Sequence, residues 1–511
     1  MIEINGSNLT LIQIADVARR GEEVALGDQG KAQIAMSRER LMSILSSGRP
    51  VYGINTGFGI FADRRIPDRD SAALSRNLIL SHAVGTGSDL PDEVVRAAML
   101  VRANTLAKGY SGVREEIVQT LLAMLNAGVT PVVPSQGSLG SSGDLCPLSH
   151  MALVYTTDEN DRDEDSGFAC FNGRRMSGKA AMVEAGIPRI ILGPKEGLAL
   201  NNGATFSAAL TALAAVDGAY LLDVAEFSLA LSMEAMLGCS TAFDVRIHQA
   251  RGHDGQLRVA RHVSRLIHKS MLIDSSGRVQ DAYSLRCAPQ VQGAARETLS
   301  FVRGIVEKEI NAATDNPLIF DADTVLSGGN FHGEPVGFAA DFLSIAMAEV
   351  GAIAERRIFR LTDAKLNSGL PPMLVDRTEA AGLNSGMMIP QYTAASLVLE
   401  NQTLANPDSV HSLPTSAEQE DHNANSMVAA RHTRRILENL AQILAIEMYT
   451  ASRAIDLRLR ETPGAKLGIG TRQVYGKLRS VVPYQPGDAW WAPEIDKVRS
   501  MIDKKEFVVE R

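Results

Sequence analysis

The sequence predicts a mainly α-helical protein with a central bundle of long helices, and two features of the residue pattern lead to this prediction. Apolar residues recur at three- and four-residue steps in three long windows, 206–237, 339–361 and 436–457, as one buried face of a helix requires. Runs that alternate with a period of two, as in a half-buried strand, are rare and short. Because few Gly or Pro residues interrupt these windows, we expect long helices that pack nearly antiparallel.

Charge and composition narrow the class of protein. The 511 residues include 51 Lys and Arg against 59 Asp and Glu, which gives a net charge of −8, and 45% are hydrophobic. These values are typical of globular proteins, and no cluster of basic residues marks a nucleic-acid partner. The most apolar stretch, 203–237, is interrupted by four acidic residues. These would be costly in a bilayer, so we expect a buried helix and no membrane partner.

The cysteines and the first residues indicate the compartment. The four cysteines are far apart in the sequence and form neither a C-x-x-C pair nor a dense disulfide framework. They are Cys146, Cys170, Cys239 and Cys287. Residues 1–20 contain acidic and basic side chains and no continuous apolar run, so they do not resemble a secretory signal. We therefore expect a cytoplasmic protein.

Short breaks rich in Gly, Ser, Asn and Pro separate the helical windows, as loops between helices do. These breaks are residues 52–59, 135–144, 201–203, 327–330 and 411–425. We divide the chain into an N-terminal region, residues 1–200, which carries a Gly/Ser-rich loop, and a central and C-terminal bundle of long helices, residues 201–511.

The Gly/Ser-rich segment 136–150 allows three interpretations. A flexible turn is favoured by composition alone, and a phosphate loop lacks the required pattern G-x-x-x-x-G-K-[ST]. The third is chemical: the Gly143 nitrogen can attack the Ser141 carbonyl, and loss of two waters gives a five-membered ring. Ser142 then becomes an exocyclic methylene, which is an electrophile. A side chain at Gly143 would hinder this closure.

Several motifs resemble, in the same order, those of the aromatic amino acid ammonia-lyases and aminomutases, and most closely the histidine ammonia-lyase branch. They are residues 52–59, 140–150, 196–200, 280–287, 315–317, 328–332 and 414–417. The resemblance covers nearly the whole chain. It implies an ammonia-lyase/fumarase-like helical fold and a homotetramer in which three chains share each active site.

The resemblance also implies a prosthetic group. In the family, a ring named 4-methylideneimidazol-5-one (MIO) forms autocatalytically from an Ala-Ser-Gly triad, which corresponds here to Ser141-Ser142-Gly143. Ser141 replaces the usual alanine. We expect this change to be tolerated, because the first residue contributes its carbonyl carbon while its side chain is not consumed.

Removing an amino group together with a barely acidic β-proton needs an electrophile, a base and an anchor for the carboxylate. By resemblance Tyr52 is the base, although a tyrosine in such a loop can also simply fix the loop. Arg286 is assigned to the substrate carboxylate, which a planar guanidinium holds by two parallel hydrogen bonds; a surface salt bridge is the alternative. The other residues assigned to the ring, the substrate or the pocket wall are Tyr283, Asn202, Gln280 and Phe331.

Substrate choice is expected to depend on the pair Ser81-His82 and on Glu420. In the family, a Ser-His pair at this place accompanies histidine as the substrate. A His-Leu pair accompanies tyrosine, and a Phe-Leu pair accompanies phenylalanine. Polar groups at His82 and Glu420 suit an imidazole, whose two nitrogens would otherwise be left without partners. An ordinary histidine on a helix is the alternative. Glu420, Asp421 and His422 are adjacent and cannot all face one ion from a regular helix, so no metal is expected.

Three places depart from the lyase pattern: Asn201, Pro390 and residues 423–427. A Ser-His pair also occurs in some tyrosine aminomutases, which share the elimination step. The expected function is deamination of L-histidine to urocanate and ammonia. The alternatives are an aromatic amino acid 2,3-aminomutase, a tyrosine or phenylalanine ammonia-lyase, and a catalytically inactive helical relative without the ring.

Overall fold

The computed structural model describes residues 1–57, 59–61 and 63–508. Long helices are its main elements, as predicted from the apolar periodicity. The first eight helices are α1 (Leu11–Arg20), α2 (Asp28–Ser46), α3 (Ser71–His82), α4 (Asp92–Ala107), α5 (Glu115–Ala127), α6 (Leu145–Tyr155), α7 (Gly178–Glu184) and α8 (Glu196–Asn201). They are followed by α9 (Thr205–Ala235), α10 (Val245–Arg251), α11 (Asp254–Leu266), α12 (Tyr283–Arg286), α13 (Ala288–Glu309), α14 (Glu334–Thr362), α15 (Met388–Leu404), α16 (Ser426–Glu461), α17 (Ile469–Val481) and α18 (Trp491–Asp503).

The strands of the described residues are short and form small sheets. They are β1 (Ile2–Ile4), β2 (Val24–Leu26), β3 (Thr86–Asp89), β4 (Thr130–Pro131), β5 (Pro134–Gln136), β6 (Thr156–Thr157), β7 (Phe168–Phe171), β8 (Arg174–Ser177), β9 (Ile190–Ile191), β10 (Leu318–Ile319) and β11 (Val325–Leu326). Four sheets have two strands, β1-β2, β3-β5, β6-β9 and β10-β11, and one has three, β4-β7-β8. The pairs β1-β2 and β6-β9 are parallel and the others antiparallel.

The three apolar windows correspond to the three longest helices, α9, α14 and α16. By length and composition alone, α9 and α14 could each cross a membrane, but 72% and 61% of their apolar windows are buried inside the structure. Burial on nearly all sides is what a core helix shows when its sequence is apolar all round. The expectation of a buried helix over 203–237 is confirmed at α9.

The chain divides into two compact units, and four of the five boundaries between them fall within long helices, whereas the fifth, 406/407, lies in the loop after α15. The first unit comprises Met1–Val216, Val302–Asp341 and Pro407–Arg431. The second comprises Asp217–Phe301, Phe342–Asn406 and His432–Arg511. The division at residue 200 that the sequence suggested stays a prediction.

A buried ion pair joins three helical segments of the second unit. Both Arg357 and Glu447 have fully buried side chains, with Nε to Oε1 at 2.5 Å and Nη2 to Oε2 at 2.9 Å. Ser232 donates a third hydrogen bond to Oε1 at 2.7 Å. Because every partner is satisfied, the charges are tolerated; removing one of them costs about 3–5 kcal/mol.

The core of the first unit centres on α4, in which every residue from Ala97 to Ala107 is buried. Arg102 on this helix is fully buried, and burial lowers its pKa. Its guanidinium donates to the Ala199 carbonyl at 3.1 Å and to the Thr205 hydroxyl at 2.6 Å. These bonds fix the end of α8 and the start of α9, where the Asn202 segment lies.

Candidate active site

The segment 137–144, here called the triad loop, lies between β5 and α6 and contains Ser141-Ser142-Gly143. Gly143 has a left-handed φ of +77°, and a Cβ there would lie 2.1 Å from the Gly203 carbonyl carbon. The backbone of Gly203 donates to the Ser142 carbonyl at 3.2 Å and accepts from the Asp144 N–H at 2.9 Å. A residue with a side chain cannot occupy position 143 without moving this backbone. The structure thus gives a packing reason for the glycine that ring closure also requires.

Asp144 anchors the triad loop from inside. Its carboxylate is completely buried and accepts from the Ser138 hydroxyl at 2.7 Å, the Ser207 N–H at 2.8 Å and the Ser207 hydroxyl at 2.9 Å. Burial raises the pKa of Asp144, and these hydrogen bonds oppose the rise. An unpaired buried carboxylate would be costly, so the three donors are needed to keep it in place.

Two other segments of the first unit hold the outer side of the triad loop. The Gly333 N–H donates to the Gly140 carbonyl at 2.9 Å, and the Asn425 N–H donates to the Leu139 carbonyl at 2.7 Å. Gly140 has a φ of +69°, and a Cβ on it would lie 2.3 Å from the Ser426 hydroxyl. The loop is therefore fixed on both sides, and the interpretation as a flexible Gly/Ser turn does not fit it.

Glu420 contacts both serines of the triad. The Ser141 hydroxyl donates to Oε2 at 2.8 Å and the Ser142 hydroxyl donates to Oε1 at 2.7 Å. A pair of backbone hydrogen bonds with Thr415, at 2.8 and 3.2 Å, fixes the main chain of Glu420. The structure thus brings together the predicted ring residues and the carboxylate predicted to choose the substrate.

Asn202 approaches the triad from the end of α8. Its side-chain amide donates to the Ser142 carbonyl at 2.8 Å, so this oxygen has two donors, the second being the Gly203 N–H. The Asn202 Oδ1 is buried and has no hydrogen-bond partner among the described residues. A buried acceptor without a partner costs free energy, and a bound ammonium group could satisfy it.

Ser81 and His82 end α3, and the two side chains bond to each other, with 3.0 Å between Oγ and Nδ1. Burial lowers the pKa of His82, while the negative charge of Glu420 acts in the opposite direction. The two side chains are therefore near enough to interact electrostatically. A lowered pKa keeps the His82 imidazole neutral at pH 7, so that one ring nitrogen can accept a hydrogen bond.

The other predicted residues of the first unit are Tyr52 and Phe331. Tyr52 is half-buried, and its hydroxyl accepts from the Gly59 N–H at 3.4 Å. Phe331 is partly exposed and precedes Gly333, which bonds to the triad loop. Phe58, in the same motif as Tyr52, lies outside the described residues.

Gln280, Tyr283 and Arg286 lie in the second unit and organise one another. The Arg286 guanidinium carbon stands 4.8 Å from the centre of the Tyr283 ring, and its Nη1 donates to the Gln280 side-chain oxygen. Tyr283 is 69% exposed. A cation–π contact and one hydrogen bond orient the guanidinium while leaving other N–H groups able to donate.

Sequence reasoning missed the residues that support the site. Asp144 directly follows the triad and Ser207 begins the next long helix, but no local pattern shows that they meet. The rings of His332 and His422 stack with centres 5.8 Å apart, and 3.2 Å separates the His332 Nε2 from the His422 carbonyl oxygen. His332 stands in a motif that carried the resemblance, and His422 follows Glu420, which was the one available signal.

The structure shows the local surroundings of the three places that depart from the family pattern. Asn201 donates to the Ser149 hydroxyl at 3.2 Å. Pro390 is the third residue of α15, where the missing N–H would have no partner within the helix. Asn423 accepts from the Leu413 N–H at 3.1 Å, and Asn425 supplies the bond to the triad loop.

No group of three or more His, Cys, Asp or Glu side chains in the described part of the chain is placed to hold a metal ion. The features found around the triad suit a prosthetic group made from the chain itself. These are a glycine without room for a side chain, two donors on the Ser142 carbonyl, and a buried acceptor on Asn202.

Comparison with known proteins places this geometry in a family. The sequence model of the aromatic amino acid lyase family matches residues 9–480. The chain is 50% identical over 484 residues to a histidine ammonia-lyase of Caldanaerobacter subterraneus subsp. tengcongensis, covering 94% of this chain and 92% of that protein. It is 45% identical over 511 residues to a histidine ammonia-lyase of Bacillus subtilis, covering 99% of this chain and 97% of that protein.

Solved structures agree in fold along the whole chain. The histidine ammonia-lyase from Trypanosoma cruzi has a TM-score of 0.89 and 37% identity, covering 100% of this chain and 96% of that one. The tyrosine aminomutase from Streptomyces globisporus has a TM-score of 0.92 and 34% identity, covering 99% of this chain and 97% of that one. With a full-length family match and relatives of this identity, the chain belongs to the aromatic amino acid lyase family.

Proposed function

We propose that this protein is an ammonia-lyase that converts L-histidine to urocanate and ammonia without oxidation. The observation that carries this proposal is the position of Glu420, which is hydrogen-bonded to both triad serines. An imidazole needs two polar partners, and a site lined with apolar side chains would reject it. Relatives of 45–50% identity named histidine ammonia-lyase support the same substrate.

The cofactor that we propose is MIO, made from Ser141, Ser142 and Gly143. When formed, it supplies an electron-poor methylene that reacts with an electron-rich group of the substrate. Asn202 and the Gly203 N–H would hold the carbonyl oxygen that Ser142 contributes, as they hold it here at 2.8 and 3.2 Å. Two donors on this oxygen withdraw electron density from the carbonyl next to the methylene.

The other residues would bind the substrate and move its proton. Arg286 would hold the carboxylate by parallel hydrogen bonds, with Gln280 and Tyr283 keeping its guanidinium in orientation. The Asn202 Oδ1 would accept from the substrate ammonium group, and Tyr52 would take the β-proton. Holding all of these groups at once removes most of the entropic cost of aligning the bond that breaks.

The imidazole of the substrate would lie between His82 and Glu420, with Phe331 as part of the wall. A neutral imidazole has one N–H group and one acceptor nitrogen. Glu420 can only accept, so it suits the N–H group, and neutral His82 can donate to the other nitrogen. This pair therefore fits the neutral imidazole of histidine with both nitrogens satisfied. A phenyl ring would leave the Glu420 oxygen that faces the substrate ring without a donor, which is the physical basis for discrimination.

A lyase is favoured over an aminomutase by the comparisons. The relatives that are 45–50% identical to this chain have lyase names, whereas the tyrosine aminomutase is 34% identical. The two reactions share the elimination step and differ in whether ammonia returns to the product. The departures at Pro390 and 423–427 do not by themselves point to a mutase, since Pro390 lies in the first turn of α15 and Asn425 bonds to the triad loop through its backbone.

We also propose a cytoplasmic homotetramer in which the site is completed by residues of neighbouring chains. Exposed apolar side chains on α15 support association: Ile389 is 59% exposed, Tyr392 64% and Leu399 64%. Contiguous apolar surface of this kind usually marks an interface. The four free cysteines suit a reducing compartment. Native mass spectrometry would show a single tetrameric species if the assembly is right.

The experiment that tests the function is incubation of the purified protein with L-histidine, L-tyrosine and L-phenylalanine separately, followed by mass-resolved product analysis. Urocanate from histidine alone is the expected result. A β-amino acid product would show that the protein is an aminomutase and not a lyase. A mass without loss of two waters, together with no product, would favour a helical relative that lacks the ring.

A further inference from the structure

The first triad residue carries a hydroxyl that the usual alanine of the family does not have. Ser141 is 7% exposed, and its Oγ donates to the Glu420 Oε2 at 2.8 Å. Ser142 donates to the other carboxylate oxygen, Oε1, at 2.7 Å. Each oxygen of Glu420 thus has its own serine before the ring exists.

Ring formation would remove one of these two hydroxyls. The first water is lost when the Gly143 nitrogen adds to the Ser141 carbonyl carbon. Its oxygen comes from that carbonyl, and its two hydrogens come from the Gly143 N–H and the Ser142 N–H. The second takes the Ser142 hydroxyl together with its α-hydrogen. Glu420 then loses the donor at Oε1, whereas the Ser141 hydroxyl is not consumed and remains next to Oε2.

We infer that Ser141 is a positioning residue for substrate choice: its hydroxyl holds the Glu420 Oε2, so that Oε1 is left to accept from the imidazole N–H of the substrate. This inference rests on the proposed function. With alanine at position 141, neither hydroxyl would remain on the carboxylate after ring closure. The carboxylate would then need another partner to keep its orientation.

Among the described residues, the one further hydrogen-bond donor near the Glu420 carboxylate is Thr415. The Thr415 backbone fixes the main chain, but the Thr415 hydroxyl lies 3.4 Å from Oε2 and 3.3 Å from the Glu420 carbonyl. Both distances are long for a bond between a hydroxyl and an oxygen. Ser141, at 2.8 Å from the same Oε2, makes the shorter contact. The orientation of the carboxylate therefore depends mainly on Ser141 once Ser142 has reacted.

The test compares Ser141→Ala with Ser141→Thr, which keeps a hydroxyl. Intact mass and ultraviolet absorbance first establish that both variants form the ring. Because a hydrogen bond to a charged group is lost, Ser141→Ala is expected to raise KM for L-histidine about tenfold, with a smaller change in kcat. Ser141→Thr is expected to restore most of this loss.

A binding measurement that does not depend on turnover separates positioning from a general structural effect. Urocanate and cinnamate share the acrylate group and differ in the ring, so their dissociation constants are measured by calorimetry in Ser142→Ala and in the double variant Ser141→Ala/Ser142→Ala. Ser142→Ala removes the same hydroxyl from Glu420 that ring formation removes. The double variant is expected to bind urocanate about tenfold more weakly and cinnamate unchanged.

Two outcomes would overturn the inference. Equal urocanate affinity with and without the Ser141 hydroxyl would mean that Glu420 is oriented by other groups. Equal weakening of urocanate and cinnamate would mean that Ser141 acts only on the structure of the loop. If instead the wild-type protein makes no urocanate from L-histidine, the proposed function fails. That failure can be distinguished from either of the two outcomes above.

Discussion

The triad loop and the segment from Gln280 to Arg286 are built in contrasting ways. Most residues of the loop are buried, and three other segments of the first unit bond to it: residues 202–207, Gly333 and residues 420–425. The segment is exposed at Tyr283, and its three predicted site residues contact one another. A group that must form from the backbone needs a backbone held from all sides, whereas a carboxylate anchor needs only an oriented, accessible guanidinium.

This contrast predicts different sensitivities to substitution. In the triad loop, a change in one residue affects the bonds of its neighbours, because the polar groups are buried and share partners. In the exposed segment, the cation–π contact contributes about 0.5–1 kcal/mol, so single changes act on substrate binding and leave the fold intact. The following variants test this difference, from the largest expected effect to the smallest.

Ser142→Ala is expected to abolish activity, because the methylene of the ring comes from this side chain. Intact mass should show no loss of two waters, and the ultraviolet absorbance of the ring should be absent. Ser141→Ala is the matched control and should retain the ring. Full activity in Ser142→Ala would refute the cofactor assignment and, with it, the reason given for the rigid loop.

Arg286→Met is expected to lower kcat/KM for L-histidine about a hundredfold, because the substrate carboxylate loses its charged donors. The unfolding transition should be nearly unchanged, since the side chains that the guanidinium contacts, Gln280 and Tyr283, are exposed. Tyr283→Phe is the control for the cation–π contact, because it keeps the ring face. A large loss of thermal stability in Arg286→Met would remove the distinction between the two regions.

Gly140→Ala and Gly128→Ala separate backbone strain from crowding at the loop. Both glycines have positive φ, +69° and +80°, so each alanine bears a left-handed cost of about 1–2 kcal/mol. Nothing lies within 4 Å of a Cβ at Gly128, whereas the Ser426 hydroxyl would lie 2.3 Å from a Cβ at Gly140. Gly140→Ala should therefore lose more unfolding free energy in denaturant and form less ring, as measured by absorbance. Equal losses would show that the loop has room to adjust.

His150, on the helix that follows the triad loop, gives the smallest effect and a dependence on pH. Its Nε2 accepts from the Gly85 N–H at 2.9 Å, which requires the neutral ring, and burial lowers its pKa from the ordinary 6.5. The unfolded chain therefore binds the proton more readily, so His150 contributes stability above pH 6.5 that is lost as the pH falls below it. His150→Gln, which does not titrate, should show a shallower loss of unfolding free energy between pH 7.5 and about pH 5.5. An identical slope in both proteins would contradict this.

Much of the fold, and a candidate for the reactive group, could be predicted from the sequence because both depend on residues close together in the chain. The three longest helices followed from apolar periodicity, since a buried helix must repeat its apolar face every three or four residues. The triad and its glycine are contiguous, so their chemistry could be considered without knowing the surroundings. The motifs around Tyr52 and Arg286 likewise carried the family resemblance on neighbouring residues.

Only the tertiary structure showed how distant residues meet. No spacing in the sequence indicates that Glu420 bonds to Ser141 and Ser142, 279 and 278 residues earlier, or that Ser207 supports Asp144. Hydrogen bonds are directional and short, so whether two polar groups pair depends on where packing brings them rather than on their type. The sequence determined which groups are available for the chemistry, and the packing of the first unit decided which of them act together.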